Sequence, residues 1–254
     1  MNSISIPTAM ETKGSVSAAQ RRSALVAGVF YILTFVSIPT LFLYGPVKSA
    51  NYILGSGPDT AVIIGGILEV IVALAGIGTA VALFPVLKRQ NEGAALGFVG
   101  SRVLEGAGIL AGVACLLSIV SLRQAGVGAA GLVTAQTLTI LYDRILVLSQ
   151  SLMPAVNDLL LGFLLYWSRL VPRVLPLIAF IGAPLLLASD GAVLFGLLDR
   201  TSGATALAAL PVAVFEFSVG VYLVVKGFKP SPILPTDPRD AGVGGSLAPA
   251  ASVG

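Results

Sequence analysis

The chain has 254 residues, 56% of them hydrophobic and only 11% charged, with a formal net charge of +3 and a mean hydropathy of +0.96. Soluble domains carry about a quarter charged residues, so a soluble fold is excluded and apolar runs of about 20 residues become the unit of counting. Histidine is absent and Cys115 is the single cysteine, which excludes an intramolecular disulfide, histidine-dependent zinc sites, Ser-His triads and Cys-His dyads.

Residues 1–20 form a polar tail without the apolar periodicity needed to pack, and it reads as disordered. The first predicted span is Ala24–Tyr44. It carries no charged residue and is expected at the periphery of the bundle. Its lead-in, "QRRSALVAGVF", reads as an uncleaved span behind arginines, since the apolar run is too long for an export signal. The second and third spans are predicted at about Ala61–Leu87 and Ala94–Val120.

The stretch 131–167 is long enough for two spans. Two crossings there would reverse the side on which every later basic residue falls, so Gly131–Leu148 is expected as an outer-side interfacial or re-entrant helix. It leads into a crossing near Ser149–Trp167, with a kink at Pro154. Seven spans is the topological alternative. The last spans are Leu175–Leu198 and Thr205–Val225, and a Pro/Gly/Ala-rich tail over 229–254 reads as disordered. The prediction is therefore all-α: a polytopic membrane bundle of six transmembrane helices over residues 21–228, plus the outer-side helix.

The basic residues give an orientation. Lys13, Arg21, Arg22, Lys88, Arg89, Arg169, Arg173, Lys226, Lys229 and Arg239 fall on one side; Lys48, Arg123, Arg144 and Arg200 fall on the other. This bias predicts cytoplasmic termini in a plasma (inner) membrane. It also explains the calculated pI near 9.2 as an orientation signal, so no nucleic-acid partner is expected.

Spans two to six each carry one acid: Glu69, Glu105, Asp158, Asp190 and Glu216. With Arg102 they would oppose insertion by on the order of 15 kcal/mol if charged and lipid-facing. They should therefore turn inward. Small residues share their helical faces, as in Gly65, Glu69, Ala73, Gly76 and Ala80, and such faces are where membrane helices pack. Cys115 reads as one of these packing residues.

By rise per residue, Glu105, Asp158 and Glu216 fall near mid-membrane, with Glu69 and Asp190 somewhat outward. Tyr142, Asp143 and Arg144 lie just beyond, placed to cover the cluster. Arg102 and Glu105 are helical neighbours, and arginine stays protonated when buried. Arg102 is thus expected to hold one or two carboxylates ionised. The rest must be protonated, bonded to groups such as Asn157, Ser189 or Tyr142, or open to a water-filled cavity.

The segments "RRSALVAGVFYILTF", "ALFPVLKRQNEGAALGF", "SRLVPRVLPLIAFIGAPLLL" and "LPVAVFEFSVGVYLVVKGF" together resemble a prokaryotic membrane family known as domain of unknown function 4386, over roughly Arg21 to Phe228. The resemblance implies a multi-span protein of a prokaryotic plasma membrane. It brings no activity and no functional residues, although Glu216 resembles a recurrent acid of the family's last span.

Three functions compete on the residues. Buried carboxylates mark proton relays and cation sites, which favours a transporter-like or ligand-binding protein whose partners are the lipid bilayer and a small molecule or cation. A non-catalytic subunit or sensor with purely structural charges is the alternative. An intramembrane enzyme ranks last, because only acids such as Asp143 and Asp190 are available. No enzyme, metal or cofactor is expected, and no phosphate-binding loop is present.

Overall fold

The computed structural model describes residues 16–234. The tail assignments for 1–15 and 235–254, with Lys13 and Arg239, lie outside the described residues. The fold is all-α: α1 (Ala18–Thr34), α2 (Thr40–Leu43), α3 (Thr60–Leu87), α4 (Glu92–Gln124), α5 (Leu132–Val147), α6 (Met153–Ser168), α7 (Val174–Leu194) and α8 (Gly203–Val225). Among the described residues five helical segments are long and apolar enough to cross a membrane: Thr60–Leu87, Glu92–Gln124, Gly128–Ser168, Val174–Leu194 and Gly203–Val225. The protein is a multi-pass membrane protein.

Local chemistry sets the boundaries. Ser17 and Gln20 form a capping box that starts α1 inside the stretch read as tail. Asn91 and Ser202 cap α4 and α8 through their side-chain oxygens. α6 ends where Arg169 adopts a left-handed conformation, φ 57°. The first apolar run does not continue as one helix to Tyr44. It breaks after Thr34 into a short 3-10 turn, Phe35–Ser37, ahead of Pro39 and the single turn of α2.

The region 128–168 differs from expectation. A 3-10 turn, α5, a π turn at Leu148–Leu152 and α6 form one unbroken helical run of 41 residues. At 1.5 Å per residue it measures about 60 Å, twice the hydrocarbon thickness. The run lies antiparallel along α4: Gly112 faces Tyr142, Gly108 faces Ser149, Asn157 bonds both Ser101 and Glu105, and Gly97 faces Leu160. α5 therefore continues into α6 as one helical run packed along α4. The run has no reversal for a second crossing. Its irregularity is the π turn directly before Met153 and Pro154, a wider turn that relieves the clash of a proline ring with the preceding carbonyls.

Two ends of the bundle follow. At the basic end Arg21 donates to the carbonyls of Leu223 at 3.1 Å and Val224 at 2.9 Å, while the Lys229 amide donates to the Leu170 carbonyl at 2.8 Å. Ser231 bonds the Ser168 carbonyl, and Ile233 and Leu234 pack on the core, so residues 229–234 continue the fold where a disordered tail was expected. At the opposite end Asp143 bonds Lys48 at 2.9 Å and Arg200 at 3.1 Å. The basic residues thus separate in space as they separate in sequence.

α1 is not peripheral. Ala24, Ala27 and Tyr31 are fully buried against α3 and α8, and Gly28 lies against the backbone of Gly220 and Val224. Its other face, with Leu25, Val26 and Val29, is exposed as a lipid-facing surface would be.

Candidate functional site: a single arginine among three carboxyl groups

Arg102 and Glu105 share a face of α4, three residues apart, and both are buried. The Arg102 side chain lies over Gly76 of α3, where a Cβ would touch it at 3.8 Å. Its Nη1 donates to Glu105 Oε2 at 2.9 Å, and its Nη2 donates to Tyr31 Oη at 3.1 Å and to Glu216 of α8. The rings of Tyr31 and Phe98 stand 5.3 and 5.8 Å from the guanidinium carbon, adding cation–π attraction. From α6, Asn157 Nδ2 donates to Glu105 Oε2 at 2.7 Å while its Oδ1 accepts from Ser101. Four passes thus converge on one cation.

Asp158 completes this group. It is fully buried, its charged neighbours are Glu216, Arg102 and Glu105, and neither carboxyl oxygen has a hydrogen-bond partner among the described residues. One guanidinium therefore faces three carboxyl groups, and the two it contacts directly already occupy Nη1 and Nη2.

The other predicted residues form separate groups. Glu69 accepts from Tyr44 at 3.2 Å and from Tyr142 at 3.3 Å, and those two rings meet edge to face. Gly65 makes room for the Tyr44 ring, which would lie 2.5 Å from an added Cβ. Asp190 accepts from Ser151 Oγ at 2.6 Å, with its other oxygen and the Ser189 hydroxyl unpartnered. Asp143 and Arg144 lie at the opposite end, where Asp143 holds Lys48 and Arg200 together and Lys48 Nζ sits 4.6 Å above the Tyr142 ring. Among the described residues no three Cys, Asp or Glu side chains converge as metal ligands.

A cavity of about 200 Å³ reaches the central group. Arg102, Glu105, Glu216 and Gln150 supply its polar wall. Val72, Ile109 and Pro154 supply apolar lining, and Ile38, 55% exposed, lies at its rim beside the break after α1. That break is what leaves the space. A continuous α1 would carry its side chains over the pocket.

Sequence reasoning missed Tyr31, Tyr44, Gln150 and Ser151. Tyr31 had one signal: it is the one tyrosine in the largely apolar "GVFYILTF" run. A buried tyrosine hydroxyl seeks a partner.

At the opposite end Arg123 stacks 4.0 Å from the Tyr52 ring and bonds Asp59 and the Gly57 carbonyl. Asp59 accepts from Tyr52 Oη at 2.5 Å and from Gln124 Nε2 at 2.9 Å. Burial acts to raise the Asp59 carboxyl, but hydrogen bonds from Tyr52 and Gln124 and the Arg123 charge outweigh it and hold the group below its ordinary value. Tyr52 is pushed up to about 12, first by burial and then by its bond to Asp59.

Fold and site together define a class: a polytopic α-helical membrane protein with a charged, partly satisfied centre. Residues 26–227 match the family described as Domain of unknown function (DUF4386), and the chain belongs to that family. No curated protein and no solved structure matches it.

Proposed function

We propose that the protein is a transporter-like or ligand-binding protein of a prokaryotic plasma membrane, without enzymatic activity, whose site is the Arg102–Glu105–Glu216 centre. The reading places six crossings in the bilayer, with α1 and the 128–168 run each counting once, and both termini in the cytoplasm, which the bias of basic residues supports. Its ligand is a small cation or a small molecule bearing a positive group, because two carboxylates against one guanidinium leave the wall of the cavity net negative.

The observation that carries the reading is the cavity of about 200 Å³ that opens onto Arg102, Glu105 and Glu216 in the middle of the bundle. A purely structural ion pair needs no such access. Reconstitution into liposomes tests it: cation- or proton-linked flux is expected, and Glu105→Gln or Glu216→Gln should change it. Absence of any flux, unaltered by either substitution, would count against the reading.

The alternative, a structural clamp in a subunit or sensor, draws on the bonds from Arg102 Nη1 and Nη2 to Tyr31, Glu105 and Glu216. Replacing the charged members together by methionine separates the two. A clamp tolerates the exchange if packing survives; a binding site does not.

A further inference from the structure

We infer that Asp158 is a proton-binding group of the central site, loaded from the end that carries Asp143 while the basic end stays closed. This rests on the site reading above but does not require that a second ligand be transported.

The first support is Asp158 itself. It is fully buried, and both of its oxygens lack a partner among the described residues. An ionised carboxylate left unbonded in a low-dielectric interior is strongly unfavourable, whereas a carboxylic acid is neutral and supplies its own donor. The charged and titratable groups acting on it are Glu216 of α8 and Arg102 and Glu105 of α4, and it acts in turn on Tyr31 of α1. Arg102 donates through Nη1 and Nη2 to Tyr31, Glu105 and Glu216 and makes no bond to Asp158, while its Nε has no partner among the described residues.

The second support is the asymmetry of access. Toward the basic end the centre is closed by Leu83, Leu87, Phe98, Leu164, Leu165 and Phe215, all fully buried in one continuous apolar cluster. Toward the other end polar groups follow one another. Asp143, its side chain 42% exposed, bonds Lys48; Lys48 sits over Tyr142; Tyr142 and Tyr44 donate to Glu69. Gln150 stands beside Glu69 and also lines the cavity onto Arg102, Glu105 and Glu216. That cavity has room for several water molecules at roughly 30 Å³ each, and it ends on Glu105 and Glu216, the carboxyl neighbours of Asp158. The step is simple: hydronium gives its proton to the Asp158 carboxylate, leaving water and a neutral acid, and the reverse step releases it.

Infrared spectroscopy of the full chain in lipid nanodiscs tests the assignment. At neutral pH a protonated-carboxyl C=O band should be present, absent in Asp158→Asn and retained in Asp190→Asn. Asp158→Glu should displace that band, which preserves the test if the asparagine variant does not fold. On transfer to heavy water the band should shift, and Glu69→Gln should slow that exchange by on the order of a hundredfold, as when a positioned proton-transfer group is removed.

A wild-type protein without the band, or a band unchanged in both Asp158 variants, overturns the assignment. Exchange as fast in Glu69→Gln as in wild type overturns the route. If the band behaves as expected but no flux appears in liposomes, the transport reading fails while the proton-binding assignment stands.

Discussion

The half of the bundle nearer the basic end and the half nearer Asp143 are built on different rules. The first is dry and close. Leu83, Leu87, Leu164, Leu165 and Phe215 are fully buried, and Gly28 and Gly220 let α1 and α8 touch backbone to backbone. The second is held by side chains with polar ends, Tyr44, Glu69, Tyr142, Ser151 and Asp190, and by the Lys48–Asp143–Arg200 pairs around a cavity of about 490 Å³. Lipid tails are as apolar as leucine, so helices in a bilayer associate by close packing or by hydrogen bonds. This protein uses the former to seal and the latter to stay open. The Arg102 layer is the boundary between them.

Breaking that boundary should have the largest effect. Arg102→Met leaves Glu105 and Glu216 buried without a counter-charge, and removal of one partner of a buried pair typically destabilises by about 3–5 kcal/mol. A thermal melt in detergent, followed by the fluorescence of Trp167, the only tryptophan, reads this directly. Adding Glu105→Met and Glu216→Met should return most of the loss, because an apolar cluster has nothing left unpaired. Ligand binding should stay abolished in that stable variant.

Two glycine substitutions then contrast the halves. In Gly28→Ala the new Cβ meets the Gly220 carbonyl oxygen at 2.7 Å and the Val224 amide nitrogen at 2.8 Å, backbone that does not yield locally. Overpacking of this kind costs about 1–3 kcal/mol, and melting should report it. In Gly65→Ala the obstacle is the Tyr44 ring at 2.5 Å. A side chain can swing away, so the expected loss is the Tyr44–Glu69 hydrogen bond, worth about 0.6 kcal/mol on average within membranes. The melt should barely move, while proton exchange at the centre should change. Equal melting losses from the two variants would erase the proposed distinction.

The sequence carried the all-α membrane class, the separation of basic residues and the convergence of Arg102, Glu105, Asp158 and Glu216, because burying charge in lipid constrains where such residues point. It did not carry the division of Glu69 and Asp190 into separate groups. Depth along a helix is legible from rise per residue, but rotation about the axis depends on neighbours. The continuity of residues 128–168 was hidden for a related reason: Pro154 looks like a break, and only the π turn ahead of it shows how the helix passes through. Tyr31 was missed because a span without charge offered no reason to look at its one hydroxyl.

The smallest expected effect sharpens the contrast through pH. The Tyr52–Asp59–Arg123 knot ties the loop before α3 to the end of α4. Asp59 has a folded pKa below its ordinary 3.8, so its contribution is fully present above that value and fades as pH falls through the lower folded value. Tyr52 has the opposite sign. Its folded value of about 12 lies above the ordinary 10.0, so its contribution is complete below pH 10 and is lost as pH rises toward 12. The knot should therefore hold across the middle of the pH range and loosen at both extremes, by less than about 1 kcal/mol for an ion pair at the rim. Amide hydrogen exchange over residues 52–63, corrected for its intrinsic pH dependence, should show protection falling at both limits. Asp59→Asn should flatten the acid limb and move the alkaline one to lower pH, because part of the Tyr52 rise comes from Asp59. Amides of the basic-end helices around Leu83 and Leu164, buried within the apolar cluster, should keep their protection throughout.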